Sequence, residues 1–110
     1  MKRHTDPDVR LLQAAADPIR LAILRRLALA GPVCACDIGA GHPVAQPTVS
    51  HHLKVLREAG WISGQRRGTW IWYAIRPEAT KRYQAIGAAF GTVSAGPPGR
   101  RLDVVQPSSA

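Results

Sequence analysis

The stretch that decides the fold is residues 46–60, QPTVSHHLKVLREAG. Its apolar residues Val49, Leu53 and Leu56 recur at helical spacing, while proline near its start and glycine at its end favour the beginning and the end of a helix. The pattern predicts a helix over Gln46–Ala59 with one buried side. The opposite side carries small polar residues and a lysine.

The rest of the chain is expected to form helices and one hairpin around this stretch, because aspartate, proline and glycine signals bound each segment. Helices are expected at residues 8–16, 17–31 and 77–90, and strands at Trp61–Arg66 and Thr69–Arg76 around an Arg67-Gly68 turn. The segment from 33 to 44 has a weak pattern that predicts one or two short helical turns. Val9, Leu12 and Ala16 are expected on the apolar side of the first helix. The tryptophans are expected to be core packing residues: Trp61, Trp70 and Trp72.

The chain is strongly basic, which suggests a polyanionic partner. Fifteen Lys and Arg stand against seven Asp and Glu, a formal net charge of +8. Seven of the positive and two of the negative residues lie between positions 46 and 82. On composition alone, a solvated face is an equal alternative. No apolar run approaches the roughly 20 residues of a membrane span and no signal peptide is visible, so we expect a cytoplasmic protein with no membrane partner.

The polar side of the 46–59 helix is typical of a helix that reads DNA. Small polar side chains let a helix approach base edges, while lysine and a helix N-terminus suit phosphates. The hairpin tip adds two arginines that can reach the adjacent backbone or minor groove. His52 shares the apolar side and is expected to be a partly buried, hydrogen-bonded histidine. The candidate DNA-binding residues are Gln46, Thr48, Ser50, His51, Lys54, Arg66 and Arg67.

The chain has two cysteines, Cys34 and Cys36, separated by one alanine. Without an export signal, such a pair suggests thiolate chemistry more than a structural disulfide. On an ideal helix, side chains two residues apart point about 200° away from each other. Both sulfurs can therefore bind one ion only where the backbone is non-helical, and coordination is expected to distort a helix here. A pair that merely fills space is an alternative, because free cysteine behaves as a small buried hydrophobe.

Three segments of the chain together resemble the ArsR/SmtB family of metal-responsive repressors. They are residues 46–60, the GTWIWY segment at 68–73 and the ADPIRLAIL segment at 16–24. The resemblance implies a mainly α winged helix-turn-helix fold with about five helices and a two-stranded wing. It also implies a homodimer that uses the first and last helices and binds double-stranded operator DNA. Residues 8–92 are then expected to form a DNA-binding and dimerisation domain, with a flexible arm at 1–7 and a disordered tail at 93–110.

The cysteine pair resembles the arsenic-responsive branch of the family, in which a Cys-Val-Cys-Asp-Leu-Cys stretch binds trivalent arsenic or antimony. The stretch Cys34-Ala35-Cys36-Asp37-Ile38 corresponds to the first five positions, but Gly39 replaces the third thiolate. The resemblance implies a repressor that is released by a trivalent metalloid bound at Cys34 and Cys36. A small thiol, hydroxide or water would complete the site, whereas His42, His4 or Asp37 would suit zinc better.

Other functions stay open on the sequence alone. A divalent metal such as zinc or cadmium could be the inducer at the same thiolates, and a disulfide between them would make a redox-responsive repressor. Outside this class, the chain could be a small thiol metal carrier, although a carrier does not need a DNA-reading helix. No catalytic set and no phosphate-binding glycine loop is visible, so we expect neither an enzyme nor an organic cofactor.

Overall fold

Most of the helices have a proline in their first turn, and two of them are preceded by a capping aspartate. The computed structural model describes residues 6–40 and 45–91. Its elements are α1 (Pro7–Ala15), α2 (Pro18–Ala30), β1 (Val33–Cys34), α3 (Ala35–Ala40), α4 (Gln46–Ala59), β2 (Ile62–Arg67), β3 (Trp70–Ile75) and α5 (Pro77–Ala89). A proline lies in the first turn of α1, α2, α4 and α5. The carboxylates of Asp6 and Asp17 accept hydrogen bonds from the first free N–H groups of α1 and α2, so both helices begin with a capped end.

The expected hairpin is formed by β2 and β3, which pair antiparallel. Arg67 pairs with Trp70 at the tip, so the turn is Gly68-Thr69, one residue later than expected. Gly68 has a φ of +66°, a conformation that glycine adopts without strain. Both wing arginines therefore belong to β2.

A third strand, β1, extends this hairpin into an antiparallel sheet in the order β1-β3-β2. Val33 pairs with Tyr73, and Cys34 pairs with Trp72. The wing itself has the two expected strands, and β1 adds a third strand at its edge where the sequence predicted only helical turns. Two residues carry no strand periodicity of their own, so pairing with β3 imposes the extended backbone.

The core centres on the buried side of α4. Val49, Leu53 and Leu56 are all buried, as their spacing predicts. They belong to one cluster with buried side chains from the other elements: Leu11, Ala14, Ile23, Leu24, Leu27, Val33, Ile38, Trp61, Ile62, Tyr73 and Ala79. The core thus holds α4 against α1, α2, α3 and the sheet, with the polar side of α4 facing outward.

The buried side of α1 differs from the expectation. Leu11 and Ala14 are buried, whereas Val9 and Leu12 are each 41% exposed. The indole N–H of Trp61 donates a 2.8 Å hydrogen bond to the carbonyl of Leu11, which ties this side of α1 to the end of α4. A helix with apolar residues on two sides cannot be oriented from its periodicity alone.

Several expectations concern residues outside the described ranges. His4, His42 and the 93–110 tail belong to this group, as does most of the 1–7 arm, although Pro7 is helical. The domain boundaries therefore stay predictions. Within the described part of the chain, no helix is long and apolar enough to cross a membrane.

Candidate functional site

The five candidate reading residues all lie on α4. All five are exposed: Gln46, Thr48, Ser50, His51 and Lys54. They are spread over the part of α4 that the buried Val49, Leu53 and Leu56 do not occupy, and Gln46 lies at its edge, close to α3. This side of α4 can therefore enter a groove of DNA without disturbing the core.

A polar cluster behind the reading residues fixes α4 to α2. His52 is 8% exposed, and its Nδ1 accepts a 3.1 Å hydrogen bond from the guanidinium of Arg20, which has only donors to offer. The Nε of the same guanidinium donates to the carbonyl of Ala14 at 2.6 Å. The carboxylate of Asp17 lies 3.9 Å from His52 Nδ1. His52 is thus the buried, hydrogen-bonded histidine that the sequence predicts.

The pKa of Asp17 is lowered by its neighbours in the same cluster. Its carboxylate accepts hydrogen bonds from the N–H groups of Ile19 at 2.9 Å and Arg20 at 3.0 Å. The Arg20 N–H and the nearby Arg20 charge stabilise the ionised form and hold the pKa of Asp17 below its usual value. The cap of α2 therefore depends on one ionised carboxylate.

The wing presents basic and aromatic side chains near its tip. Arg66 and Arg67 are both exposed on β2, and the guanidinium of Arg67 lies over the Trp72 ring, 4.9 Å from its centroid. Trp70 is 53% exposed, which corrects the expectation that all three tryptophans are core residues. Trp70 pairs with Arg67 at the tip of the hairpin, which explains its exposure. In the sequence, its closeness to Gly68 is the signal for this position.

The two cysteines meet at the junction of a strand and a helix. Cys34 ends β1, and Cys36 is the second residue of α3. Their Cα atoms are 5.2 Å apart, and the Sγ atoms lie at bonding distance, as in a disulfide. The N–H of Cys36 also donates to Cys34 Sγ at 3.3 Å. The sulfurs converge because the backbone at Cys34 is extended, which is the non-helical backbone that the spacing requires. The expectation that coordination distorts a helix stays a prediction.

The surroundings of the pair offer few further ligands. Cys34 is 3% exposed and Cys36 is half-buried. Among residues 6–40 and 45–91, no group of three or more His, Cys, Asp or Glu side chains is placed to hold a metal ion. Asp37 is exposed, and its carbonyl accepts a 2.9 Å hydrogen bond from Arg26. The described residues thus bring two sulfurs together without a third His, Cys, Asp or Glu side chain beside them.

Gly39 of α3 lies close to Gln46, the first residue of α4. A Cβ at this position would collide with the Oε1 of Gln46 and would lie 3.2 Å from its Cδ. The Gln46 side chain therefore occupies the space that a third cysteine at position 39 would need. Because Gly39 has no side chain, the side chain of Gln46 can lie against it.

The cysteine pair lies between the wing and the reading helix. Cys34 pairs with Trp72 of β3, the strand that carries the exposed Trp70. Cys36 belongs to α3, which packs against α4. The two cysteines therefore belong to elements that contact β3 on one side and α4 on the other.

The helices α1 and α5 expose large apolar side chains. They pack against each other, and Arg82 of α5 forms a 3.0 Å ion pair with Asp8 of α1. The exposed apolar residues are Val9 and Leu12 on α1, Tyr83 on α5, and Phe90 directly after α5. Such a surface is typical of a protein–protein interface.

Known proteins resemble this chain in both sequence and fold. Residues 17–63 match the arsR family of bacterial regulatory proteins. An uncharacterised HTH-type transcriptional regulator of Methanocaldococcus jannaschii is 41% identical over 71 residues, which cover 64% of this chain and 80% of that protein. The arsenical resistance operon repressor of Escherichia coli is 35% identical over 69 residues, 63% of this chain. The match spans 59% of the length of that repressor.

Solved structures give the same picture of the fold. The crystal structure of an ArsR family transcriptional regulator is 29% identical and superposes with a TM-score of 0.71. The alignment covers 82% of this chain and 92% of that one. The arrangement of helices and sheet described above is therefore that of a winged helix-turn-helix regulator.

Proposed function

The chain belongs to the ArsR family of bacterial regulatory proteins, and from that membership we propose a specific role. It is a repressor that binds operator DNA as a dimer and is released by trivalent arsenic or antimony bound to Cys34 and Cys36. One observation carries the proposal: the two sulfurs converge at the junction between β1 and α3, next to the reading helix.

The DNA-binding part of the proposal rests on α4 and the wing. The exposed polar side of α4 suits the major groove, and the basic wing tip suits the adjacent phosphates or minor groove. A single module buries too little surface for specific affinity, so two copies are needed. The exposed apolar residues of α1 and α5 supply a surface through which a second copy can bind.

The choice of inducer rests on the softness of sulfur. Thiolates prefer soft, thiophilic ions, and two adjacent thiolates form a chelate. A small thiol, hydroxide or water would complete the coordination of a trivalent metalloid, because the described residues provide no third sulfur. Similarity to the E. coli arsenical resistance operon repressor supports a metalloid as the inducer.

The release mechanism follows from what the two cysteines join. In the reduced protein the two thiols would bind arsenite with release of two water molecules, and the spacing of the sulfurs would then be set by their bonds to the bridging arsenic. Because Cys34 is paired with the wing and Cys36 lies on the helix that packs against α4, the bridge favours a different relation between wing and reading helix. A preference of about 1.4 kcal/mol for that arrangement lowers operator affinity tenfold.

A redox-responsive repressor is the second candidate, since the Sγ atoms lie at bonding distance. Oxidation would remove two electrons and two protons from the thiols and form one sulfur–sulfur bond, with a peroxide as the oxidant. The same junction would then respond to oxidant instead of metalloid. The two candidates differ in which reagent releases the DNA.

Fluorescence anisotropy tests both candidates on duplexes selected from a random-sequence library by the reduced wild-type protein. Wild type, Cys34→Ser and Cys36→Ser are titrated with arsenite, with zinc and with hydrogen peroxide. We expect arsenite to release the wild type only, since one thiolate cannot chelate and a hydroxyl is a poor ligand for a soft ion. Release by arsenite in both variants would overturn the assignment, and release by peroxide alone would favour the redox candidate.

The two serine variants also need a stability control. Cys34 is buried, so a serine there buries a hydroxyl that Cys36→Ser, at a half-buried position, does not. Cys34→Ala avoids this cost and should behave in DNA binding as Cys36→Ser does. If all three variants lost folding and DNA binding together, the pair would have only a structural role.

A further inference from the structure

A cleft of about 430 Å³ lies between α4 and β3, and we call it the helix–wing cleft. Its α4 side includes Ser50, Lys54 and Arg57, and its wing side includes Thr69 and Trp70. None of the residues that line it carries a negative charge. The cleft is therefore open, basic and bordered by both of the elements that face DNA.

Two residues of the cleft, Arg57 and Trp70, are not among the candidate DNA-binding residues. Arg57 is exposed one turn beyond the reading residues, towards the end of α4. Trp70 exposes more than half of a large aromatic side chain, which a protein surface seldom does without a partner. Both therefore suit a ligand that has a negative charge and an apolar surface close together.

We propose that the helix–wing cleft seats the sugar–phosphate backbone of one DNA strand, with Arg57 on a phosphate and Trp70 against a deoxyribose. The inference rests on the proposed DNA-binding function and adds two contacts to it. With α4 in a major groove and the wing tip at the adjacent minor groove, a single strand of backbone separates the two elements. That strand has to cross the space between α4 and β3, which is the cleft.

The chemistry of the two side chains fits the two parts of that strand. A guanidinium binds phosphate oxygens through two parallel N–H donors and remains charged at any physiological pH. An indole offers a broad apolar surface to a sugar and one N–H donor to a phosphate. The charged contact responds to salt, whereas the apolar contact does not.

Salt-dependent binding of selected and random duplexes tests the inference. Arg57→Ala should weaken binding to both kinds of duplex by about tenfold at low salt and should reduce the slope of log K against log salt by about 0.9. Trp70→Ala should weaken binding several-fold with the wild-type slope, and Trp70→Phe should restore most of the loss because a flat apolar ring returns. Urea unfolding of each variant shows whether the fold is intact.

Arg25→Ala is the matched control for the loss of charge. Arg25 is exposed on α2, on the side opposite the buried Ile23, Leu24 and Leu27, so it should not reach the DNA. The inference is overturned if Arg57→Ala has the slope and affinity of the wild type or of Arg25→Ala, or if Trp70→Ala binds as the wild type does. Failure of the wild type to bind any duplex would instead overturn the proposed function itself.

Discussion

The reading helix α4 and the cysteine segment, residues 33–40, differ in how they are held. α4 has 14 residues and a continuous buried side. The cysteine segment is a strand of two residues followed by a helix of six, and its conformation depends on pairing with β3 and packing on α4. Val33, Cys34 and Ile38 of this segment are nevertheless buried. The comparison teaches that α4 is specified by its own periodicity, whereas the conformation of the cysteine segment is specified by its neighbours.

Truncating a buried side chain of α4 should have the largest of the predicted effects. The free energy of unfolding should fall much more there than in the cysteine segment. Leu56 is fully buried on α4, so Leu56→Ala should lower the free energy of unfolding by about 2–5 kcal/mol through lost burial and a cavity. Cys36 is half-buried, and Cys36→Ala should cost less than about 1 kcal/mol. Urea unfolding measures both. Equal losses would mean that the cysteine segment has a structural role as large as that of α4.

The wing arginines should give the next largest effect. Replacing both Arg66 and Arg67 by Ala should weaken binding to every duplex and lower the salt slope by about 1.8, because two phosphate contacts are lost. Ser50→Ala is the contrasting variant, which should reduce discrimination between selected and random DNA and keep the slope. Anisotropy at several salt concentrations gives both quantities. A double variant with the wild-type slope would show that the wing does not touch phosphate.

The contact between the cysteine segment and α4 should have a smaller effect, which is measured as operator affinity. The effects of substitutions on its two sides should not add. Gly39→Ala places a Cβ against the Gln46 side chain and should lower operator affinity by about two- to fivefold, as Gln46→Ala should. Because both changes act on one contact, the double variant should be no worse than either single variant. Additive losses in operator affinity would show that the cysteine segment and α4 are not joined at this point.

Acid should weaken the cap of α2, and this should be the smallest of the predicted effects. The pKa of Asp17 is lower in the folded chain than its usual value near 3.8, so the folded state binds fewer protons than the unfolded state. The stability from Asp17 is complete above that usual value and is lost as the pH falls through the lowered one. Asp17→Asn keeps a capping side chain and should remove this part of the pH dependence. Urea midpoints between about pH 5 and about pH 2 compare the two proteins, and parallel curves would contradict the assignment.

Local signals explain why α4 and the hairpin could be predicted from the sequence. In α4 the apolar spacing, Pro47 and Gly60 all indicate the same element, and Gly60 ends it with a φ of +93°. Exposure of the reading residues follows from that periodicity. The hairpin followed from strand-forming residues around a glycine, with an error of one residue at its turn.

Tertiary contacts explain what could not be predicted. The extended backbone of β1 comes from pairing with β3, so the convergence of the two sulfurs was not visible in a two-residue spacing. The buried side of α1 depends on Trp61, which is 50 positions away from Leu11 along the chain. The approach of Gln46 to Gly39 likewise joins two elements that local patterns treat separately.

The central claim is that a metalloid at Cys34 and Cys36 and DNA at α4 and the wing favour different arrangements of the same chain. Linkage makes this claim measurable, because each ligand must lower the affinity for the other by the same factor. Calorimetric titration of arsenite into the free protein and into its complex with a selected duplex gives the two arsenite affinities. The account predicts that the complex binds arsenite at least about tenfold more weakly, by the factor with which arsenite weakens DNA binding. Equal arsenite affinities for the free and the DNA-bound protein would contradict it.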